Sequence, residues 1–295
     1  MKSPAFDYVR ADSVEHVHAL LAQHGDDARV LAGGQTLLAT LNMRLSQPTL
    51  LVDIAGLAGL SGISVVGNAI GGVVSNTLRI GALTRHVDIE DSALVAQHAP
   101  LLAQAAPHIA HRAIRNRGTF GGALAYADPA AEWPACVLAL GGTLVLASAR
   151  GERRVAAKDY FLGLFATARQ DDELLVACEL PCIAPAESGE RQHFDELARR
   201  HGDYAVAGLA ACAQWRNGTL HDVRLAFLSL GDRPIRAHAA EAALQAGPLT
   251  AARVDEADAA LRKELDPFAD LTHSAATKKQ FAATLMRRAV QRLAA

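Results

Sequence analysis

Residues 115–134 read RNRGTFGGALAYADPAAEWP and join a turn rich in small residues to acidic residues that follow it closely. Gly118, Gly121 and Gly122 have no Cβ, so the chain can bend tightly there and a ligand can lie against the main chain. Successive main-chain N–H groups in such a bend can form an anion-binding concavity, to which the hydroxyl of Thr119 would add a polar group. The stretch therefore predicts a bend that contacts a ligand.

A second glycine turn, AGGQT at residues 32–36, lies far upstream. Residues 29–32 and 49–54 predict short strands, and the leucine-rich segment after the turn predicts a helix between them. This order of elements predicts a parallel pair of strands. It would also place residues 34–36 at a helix N-terminus, where unpaired N–H groups favour a phosphate. Two such turns suggest one extended nucleotide that is held from two sides.

Both turns also have purely structural explanations. A Gly-Gly pair marks a turn more often than a ligand site, and Asp128-Pro129 fits a helix N-cap followed by proline at the first helical position. Neither turn matches G-x-G-x-x-G, and the sequence contains no G-x-x-x-x-G-K-[ST] motif. The residues alone therefore leave nucleotide binding and a structural role open.

The charge balance gives no support for nucleic acid or an acidic membrane surface as a partner. The 295 residues include 29 basic and 31 acidic side chains, a formal net charge of −2, which favours neither nucleic acid nor an acidic membrane surface. The first residues, MKSPAFDYVRAD, contain no apolar signal segment. The longest apolar run, residues 135–147, is interrupted by a Gly-Gly pair and is too short to span a bilayer. We therefore expect a cytoplasmic protein without a membrane span.

The cysteines do not predict a metal site. Cys136, Cys178, Cys182 and Cys212 lack the clustered spacing of iron–sulfur or zinc ligands, and neither H-E-x-x-H nor a nucleophile elbow occurs. Buried free thiols are the expected state. If the chain takes part in redox chemistry, the electrons must reach it from a metal centre on another chain.

Other patterns outline the rest of the chain. The expected elements are helices at about 93–106, from Pro129, and at 160–165, a hairpin at 144–155, a strand at 173–180, a linker at 181–189, strands at 193–199, 205–215 and 220–230, and helices after 236. Asn217-Gly218 predicts a tight hairpin between the last two strands.

The motifs AGGQTLL (32–38), NRGTFGG (116–122) and ADPAAE (127–132) resemble the FAD-binding medium subunit of the molybdenum hydroxylases, the family of xanthine dehydrogenase and carbon monoxide dehydrogenase. LRIGALTRHVDIE, DYFLGLFATA and RRHGDYAVAG extend the similarity over essentially the whole chain. The resemblance implies an α+β fold. Residues 1–55 and 56–181 would be two α/β lobes of a PCMH-type FAD-binding domain, and residues 190–295 a C-terminal antiparallel sheet with helices.

The resemblance also implies FAD contacts. The pyrophosphate would lie along the first turn, and Asp128 and Glu132 would accept hydrogen bonds from ribose or ribityl hydroxyls. Tyr204 would cover one face of the flavin. Ile109 would pack on the adenine and Leu175 on the isoalloxazine, although both apolar residues also fit a protein core. The predicted FAD-binding residues are Ala32, Gly33, Gly34, Gln35, Thr36, Leu37, Ile109, Thr119, Phe120, Gly121, Gly122, Ala123, Asp128, Glu132, Leu175 and Tyr204.

The chain departs from the family pattern at three of these positions. It has Phe120 where isoleucine or leucine is usual, Ala123 where asparagine is usual, and Glu132 where aspartate is common. A side-chain contact of the asparagine is therefore lost, whereas main-chain contacts survive. Arg199 and Arg200 precede Tyr204 and would either offset flavin charge or form a solvated basic face.

Three functions remain open from the sequence. In the first, the chain is an oxidoreductase subunit that binds FAD. It receives electrons from a small [2Fe–2S] subunit, which in turn receives them from a large subunit with a molybdenum cofactor. The three subunits would assemble as a dimer of heterotrimers. The chain would have no catalytic residue for the organic substrate and would reduce NAD, oxygen or a quinone. The second is a stand-alone flavin oxidoreductase, and the third a non-catalytic nucleotide-binding protein.

Overall fold

The computed structural model describes residues 2–70, 73–183 and 189–295. The strands are β1 (Asp7–Arg10), β2 (Ala28–Leu31), β3 (Leu50–Asp53), β4 (Ile63–Ile70), β5 (Val73–Gly81), β6 (Thr143–Ser148), β7 (Gly151–Ala156), β8 (Phe161–Gly163), β9 (Ala166–Thr167), β10 (Leu174–Pro181), β11 (Glu190–Ala198), β12 (Ala205–Arg216), β13 (Thr219–Leu228) and β14 (Ile235–Arg236). The helices are α1 (Val14–His24), α2 (Leu37–Asn42), α3 (His86–Glu90), α4 (Ala93–His98), α5 (Pro100–Ala105), α6 (Arg112–Arg115), α7 (Phe120–Tyr126), α8 (Glu132–Ala139), α9 (Ala157–Tyr160), α10 (His238–Gln245), α11 (Ala251–Glu264) and α12 (Ala275–Leu293).

The N-terminal sheet has the strand order β1-β3-β2, and β3 is parallel to both neighbours. Leu50, Leu51 and Val52 of β3 are all buried, because the central strand of a parallel sheet is covered on both faces. The helix α2 lies between β2 and β3 in the chain, which confirms the predicted strand–turn–helix–strand unit and its parallel pair.

The central sheet is antiparallel, in the order β4-β5-β10-β6-β7. Alternate residues of β6 face opposite sides of this sheet. Leu144 and Leu146 belong to the core shared with α5, α7 and α8, whereas Val145 and Ala147 pack with the N-terminal sheet. The predicted hairpin is confirmed by the pairing of β6 with β7. The central sheet thus separates two apolar cores.

The C-terminal sheet is antiparallel, in the order β11-β12-β13-β14. Leu209 and Phe227 face the core formed with α10, α11 and α12, whereas Ala210 and Leu228 face the core that contains α8. Asn217-Gly218 forms the predicted hairpin turn, with φ of 49° and 77°. The helix α8 therefore lies between the central and C-terminal sheets, and this contact positions the candidate site.

Several element predictions need correction. The helix at 93–106 is interrupted at Ala99, because Pro100 cannot continue the hydrogen-bond ladder of α4. The helix expected from Pro129 begins at Glu132, because the side chain of Asp128 accepts the Ala130 N–H and forms a turn instead. The helix expected at 160–165 does not form: α9 ends at Tyr160, and β8, which follows it, pairs with β9.

Part of the predicted linker at 181–189, residues 184–188, lies outside the described residues. Across residues 2–70, 73–183 and 189–295, each helix is too short or too polar to cross a bilayer.

Candidate functional site

The two glycine turns meet in space. A Cβ added to Gly33 would overlap the carbonyl oxygen of Arg117 and would lie 2.9 Å from the Cα of Gly118. A Cβ added to Gly122 would lie 3.9 Å from the Cβ of Ala32. Half-buried positions at this junction are Ala32, Gly33, Gly34, Gln35, Thr36, Leu37, Gly122 and Ala123.

The first turn offers unpaired hydrogen-bond donors. Among the residues that the structure describes, no protein group accepts the main-chain N–H of any residue from 33 to 37. The carbonyls of Gly33 and Gly34 are occupied, because they accept the Gln35 side-chain amide at 3.1 Å and the Leu38 N–H at 3.1 Å. Consecutive free N–H groups are the arrangement that binds a phosphate oxygen. The first turn therefore fits an anionic ligand.

The main-chain donors of the second turn are already paired within the protein. Phe120 donates its N–H to the Thr84 carbonyl at 2.8 Å, and Gly121 donates to the Ala82 carbonyl at 2.8 Å. Gly122 donates to the hydroxyl of Thr119 at 3.2 Å, which caps α7. The predicted run of free N–H groups in this turn is therefore wrong.

The glycines of the second turn allow close packing. A Cβ on Gly121 would lie 2.6 Å from the Cα of Ala82. One on Gly118 would lie 2.7 Å from the imidazole of His86. The second turn is held by the segment after β5 and supports the first turn.

Three apolar candidates have buried side chains. Phe120 is fully buried against Trp133, with ring centroids 5.5 Å apart. Leu175 lies opposite Leu146 in the central sheet and belongs to its core. Ile109 is also in that core, in a turn rather than a helix. The core alternative that the sequence left open for Leu175 and Ile109 agrees with these positions.

The acids lie at the other end of α7 from Thr119. The helix has seven residues, and a rise of 1.5 Å per residue makes it about 10 Å long. Asp128 is half-buried, and burial raises the pKa of its carboxyl. Glu132 is buried, and this burial, together with the charges of Glu196 and Asp128, raises its pKa to about 8. This rise favours the uncharged form of Glu132 over the carboxylate that the sequence led us to expect.

Tyr204 approaches these acids from the start of β12. Its side chain is 64% exposed. Desolvation of the hydroxyl end and the charges of Asp128 and Glu132 raise its pKa. Arg199 and Arg200 lie within 3.1 Å and 3.7 Å of Asp203, so both are paired within their own loop.

Sequence reasoning missed a buried polar network beside the second turn. Trp133 donates its indole N–H to Nδ1 of His86 at 3.0 Å. Arg115 donates to Glu90 at 2.8 Å and to the Ile109 carbonyl at 3.0 Å. The segment TRHVDIE contains His86 and Glu90, but no spacing rule links them to Trp133 or Arg115.

The C-terminal sheet contributes one more contact that the sequence did not indicate. Ser229, at the end of β13, donates its N–H to the Pro129 carbonyl at 2.8 Å. The turn that carries Asp128 is therefore attached to the C-terminal sheet as well as to α7.

The cysteines are all free thiols; Cys136, Cys178 and Cys212 are buried and Cys182 is half-buried. Within the described ranges, no three His, Cys, Asp or Glu side chains converge as a metal site would need. The free donors of the first turn, the acids at the far end of α7, which is about 10 Å long, and the exposed Tyr204 together fit an extended dinucleotide such as FAD.

Comparisons with known proteins agree with this geometry. Residues 4–183 match the family described as the FAD binding domain in molybdopterin dehydrogenase, and residues 192–293 match the CO dehydrogenase flavoprotein C-terminal domain. The chain is 41% identical to the 6-hydroxypseudooxynicotine dehydrogenase complex subunit alpha of Paenarthrobacter nicotinovorans, over 98% of this chain and 94% of that protein.

Two solved structures share the fold. A chain of carbon monoxide dehydrogenase from Hydrogenophaga pseudoflava, solved without the Mo-pyranopterin moiety of its molybdenum cofactor, superposes with a TM-score of 0.93 at 35% identity, covering 99% of this chain and 98% of that one. A chain of quinoline 2-oxidoreductase from Pseudomonas putida 86 gives 0.89 at 34% identity, covering 100% and 98%. These matches confirm the resemblance and the α+β fold class predicted from the sequence.

Proposed function

The chain belongs to the FAD-binding medium subunits of the molybdenum hydroxylase family, and from this membership we propose how its residues hold the cofactor and which partners it serves. It is an oxidoreductase flavoprotein subunit. The observation that carries the proposal is the run of unpaired N–H groups from Gly33 to Leu37 directly against the second turn.

The first turn binds the diphosphate of FAD. The N–H groups of residues 33–37 donate to phosphate oxygens, and the second turn keeps them in place through its contact with Gly33. The half-buried Asp128 accepts hydrogen bonds from hydroxyls of the ribose or the ribityl chain. Tyr204 covers one face of the flavin and limits solvent access to it. Phe120 and Gly121 support the site indirectly, because their main-chain N–H groups hold the second turn against the segment after β5.

The bound FAD would supply the electron-transfer chemistry, and the protein would orient and shield it. The electrons come from a small [2Fe–2S] subunit, which receives them from a large subunit with a molybdenum cofactor. Support comes from a relative named as a subunit of a dehydrogenase complex and from a matching solved structure that is named as a Cu,Mo-CO dehydrogenase. We propose a dimer of heterotrimers as the complete assembly.

The remaining sequence predictions stay part of this proposal. Residues 1–55 and 56–181 form the two FAD-binding lobes and residues 190–295 the C-terminal domain, a division that the separate N-terminal, central and C-terminal sheets support. A cytoplasmic location is supported by the free thiols, because cysteines stay reduced in that compartment.

Gly33→Ala tests the site. The added Cβ overlaps the Arg117 carbonyl oxygen and pushes the turns apart, so we expect the dissociation constant for FAD to rise at least about tenfold, a loss of about 1.4 kcal/mol. Gly59→Ala is the matched control, because its Cβ would meet nothing within 4 Å. FAD content and affinity are measured on the full chain by absorbance and fluorescence quenching, with circular dichroism as the folding check. Equal FAD affinity of the two variants would refute the site.

A further inference from the structure

The loop that carries Tyr204 touches the central part of the chain through a glycine. Residues 199–204 join β11 to β12, and Gly202 within this loop has a φ of 78°. A Cβ added to Gly202 would lie 2.6 Å from Nδ1 of His111 and 2.9 Å from the carbonyl oxygen of Ala110. Both distances are too short for a real Cβ, so only glycine lets the loop lie this close to residues 110 and 111.

Residues 110 and 111 offer the loop a rigid surface. Ala110 has a φ of 45°, a conformation that is uncommon for a residue with a Cβ. The buried guanidinium of Arg115 donates to the Ala110 carbonyl at 3.2 Å and to Glu90 at 2.8 Å. The exposed ring of His111 can turn away from a new side chain, whereas the Ala110 carbonyl cannot move without breaking a hydrogen bond to a buried charge.

The loop is also held together from within. Asp203 accepts the Tyr204 N–H at 3.0 Å and pairs with Arg199 at 3.1 Å, and its own N–H donates to the Arg200 carbonyl at 3.2 Å. In the described part of the chain, no hydrogen bond holds the phenol of Tyr204. The place of this ring therefore depends on the loop that carries it.

We propose that Gly202 and Asp203 are positioning residues for Tyr204, and that the contact of Gly202 with residues 110 and 111 sets where the tyrosine ring lies over the flavin. This inference rests on the proposed function, in which Tyr204 covers one face of the flavin. Asp203 transmits the position of Gly202 to Tyr204, because it lies between them and bonds to both ends of the loop.

The C-terminal sheet is attached to the rest of the chain at other points too. Ser229 donates its N–H to the Pro129 carbonyl at 2.8 Å, and Gln104 accepts the Phe194 N–H at 3.0 Å. These contacts do not involve residues 199–204. A change at Gly202 should therefore move the loop while the sheet keeps its place.

Gly202→Ala tests the contact, with Gly218→Ala as the matched control. Gly218 has a φ of 77°, but a Cβ there would meet none of the described atoms within 4 Å. Alanine is thus equally unfavourable for the main chain at the two positions, and only Gly202→Ala pushes the loop away from Ala110. Both variants are made in the full chain, with circular dichroism as the folding check.

The measurements are the dissociation constant of FAD and the quenching of bound flavin fluorescence by iodide. Gly202→Ala should raise the dissociation constant about threefold to tenfold, as expected for the loss of one aromatic stacking contact. Its iodide quenching should approach that of Tyr204→Leu, because the flavin face is uncovered in both. Gly218→Ala should match the unmodified protein in both measurements.

A double variant shows whether Gly202 acts through Tyr204. If it does, Gly202→Ala should not increase iodide quenching further once Tyr204 is replaced by leucine. Asp203→Ala provides a second route to the same result, since it loosens the loop without adding an atom beside Ala110. This variant should also expose the flavin, and it decides the question alone if Gly202→Ala does not fold.

The outcomes separate the two proposals. If FAD binds but Gly202→Ala and Asp203→Ala are quenched no more than Gly218→Ala, the inference fails and the proposed function stands. The same conclusion follows if Gly202→Ala increases quenching equally in the Tyr204→Leu background. If the folded, unmodified protein does not bind FAD, the proposed function fails with it.

Discussion

Replacing His86 with glutamine should make the protein less sensitive to mild acid. The imidazole is 6% exposed, and its Nδ1 accepts the indole N–H of Trp133 at 3.0 Å. This hydrogen bond requires that Nδ1 carry no proton. Burial first, and then the charge of Arg115, lower the pKa of His86 from 6.5 to about 4. The folded protein therefore holds this histidine in the neutral form.

The direction and size of the effect follow from linkage. Because the pKa in the folded state lies below that in the unfolded state, the unfolded chain binds a proton first as the pH falls. The stability is fully present above pH 6.5 and is lost progressively towards pH 4. A shift of this size corresponds to about 3 kcal/mol of unfolding free energy, and about 2.7 kcal/mol of it should be lost by pH 4.5. Glutamine cannot titrate, and its side-chain carbonyl can still accept the Trp133 N–H.

Urea unfolding at pH 7.5, 6.5, 5.5 and 4.5, followed by tryptophan fluorescence, measures the difference between the unmodified protein and His86→Gln. At pH 7.5 the variant should be less stable than the unmodified protein, because the glutamine side chain packs less well in the buried site. Between pH 7.5 and pH 4.5 its free energy of unfolding should rise by about 2–3 kcal/mol relative to that of the unmodified protein. Glu132 has the opposite pH dependence, but both proteins contain it, so its contribution cancels. His221→Gln, at an exposed position of β13, is the control. A difference between His86→Gln and the unmodified protein that is the same at every pH would refute the reasoning.

Two further predictions concern packing around the site. Gly121→Ala would place a Cβ 2.6 Å from the Cα of Ala82, so it should lower the unfolding free energy by about 1–3 kcal/mol; thermal unfolding beside Gly59→Ala measures this, and equal melting temperatures would contradict it. Gln104 donates to the Gln192 carbonyl at 3.2 Å and accepts the Phe194 N–H at 3.0 Å on the edge strand β11. Gln104→Ala should therefore lower the free energy of unfolding by about 1–3 kcal/mol and speed hydrogen exchange of the Phe194 amide. An unchanged exchange rate would contradict the role of Gln104 at this edge.

Local signals in the sequence predicted the elements whose conformation is set locally. Asn217-Gly218 requires positive φ at both residues, which these residue types adopt readily, so the hairpin could be read from the sequence. The strand–turn–helix–strand unit around residues 32–36 was equally visible, because its strands are apolar and its turn contains glycine. In contrast, residues 160–165 have an apolar pattern that suits a short helix, and only the pairing of β8 with β9 decides against it.

The site was predictable to the extent that its residues are close in sequence. Asp128 and Glu132 were identified, but the raised pKa of Glu132 comes first from its burial and then from the charge of Glu196, which another sheet supplies. Likewise, the buried pair His86 and Trp133 is separated by a long stretch of chain. Protonation states and buried polar contacts arise from tertiary neighbours, and no local pattern specifies them.

The two glycine turns show why similar motifs can have different roles. Both are rich in small residues, but the carbonyls of Ala82 and Thr84 already accept N–H groups of the second turn, whereas those of the first have no such acceptor in the described residues. Glycine at position 121 therefore serves packing, and glycine at position 33 lets a donor-rich turn lie against that packed support. It follows that Gly121→Ala should reduce stability more than FAD affinity, and that Gly33→Ala should reduce FAD affinity more than stability.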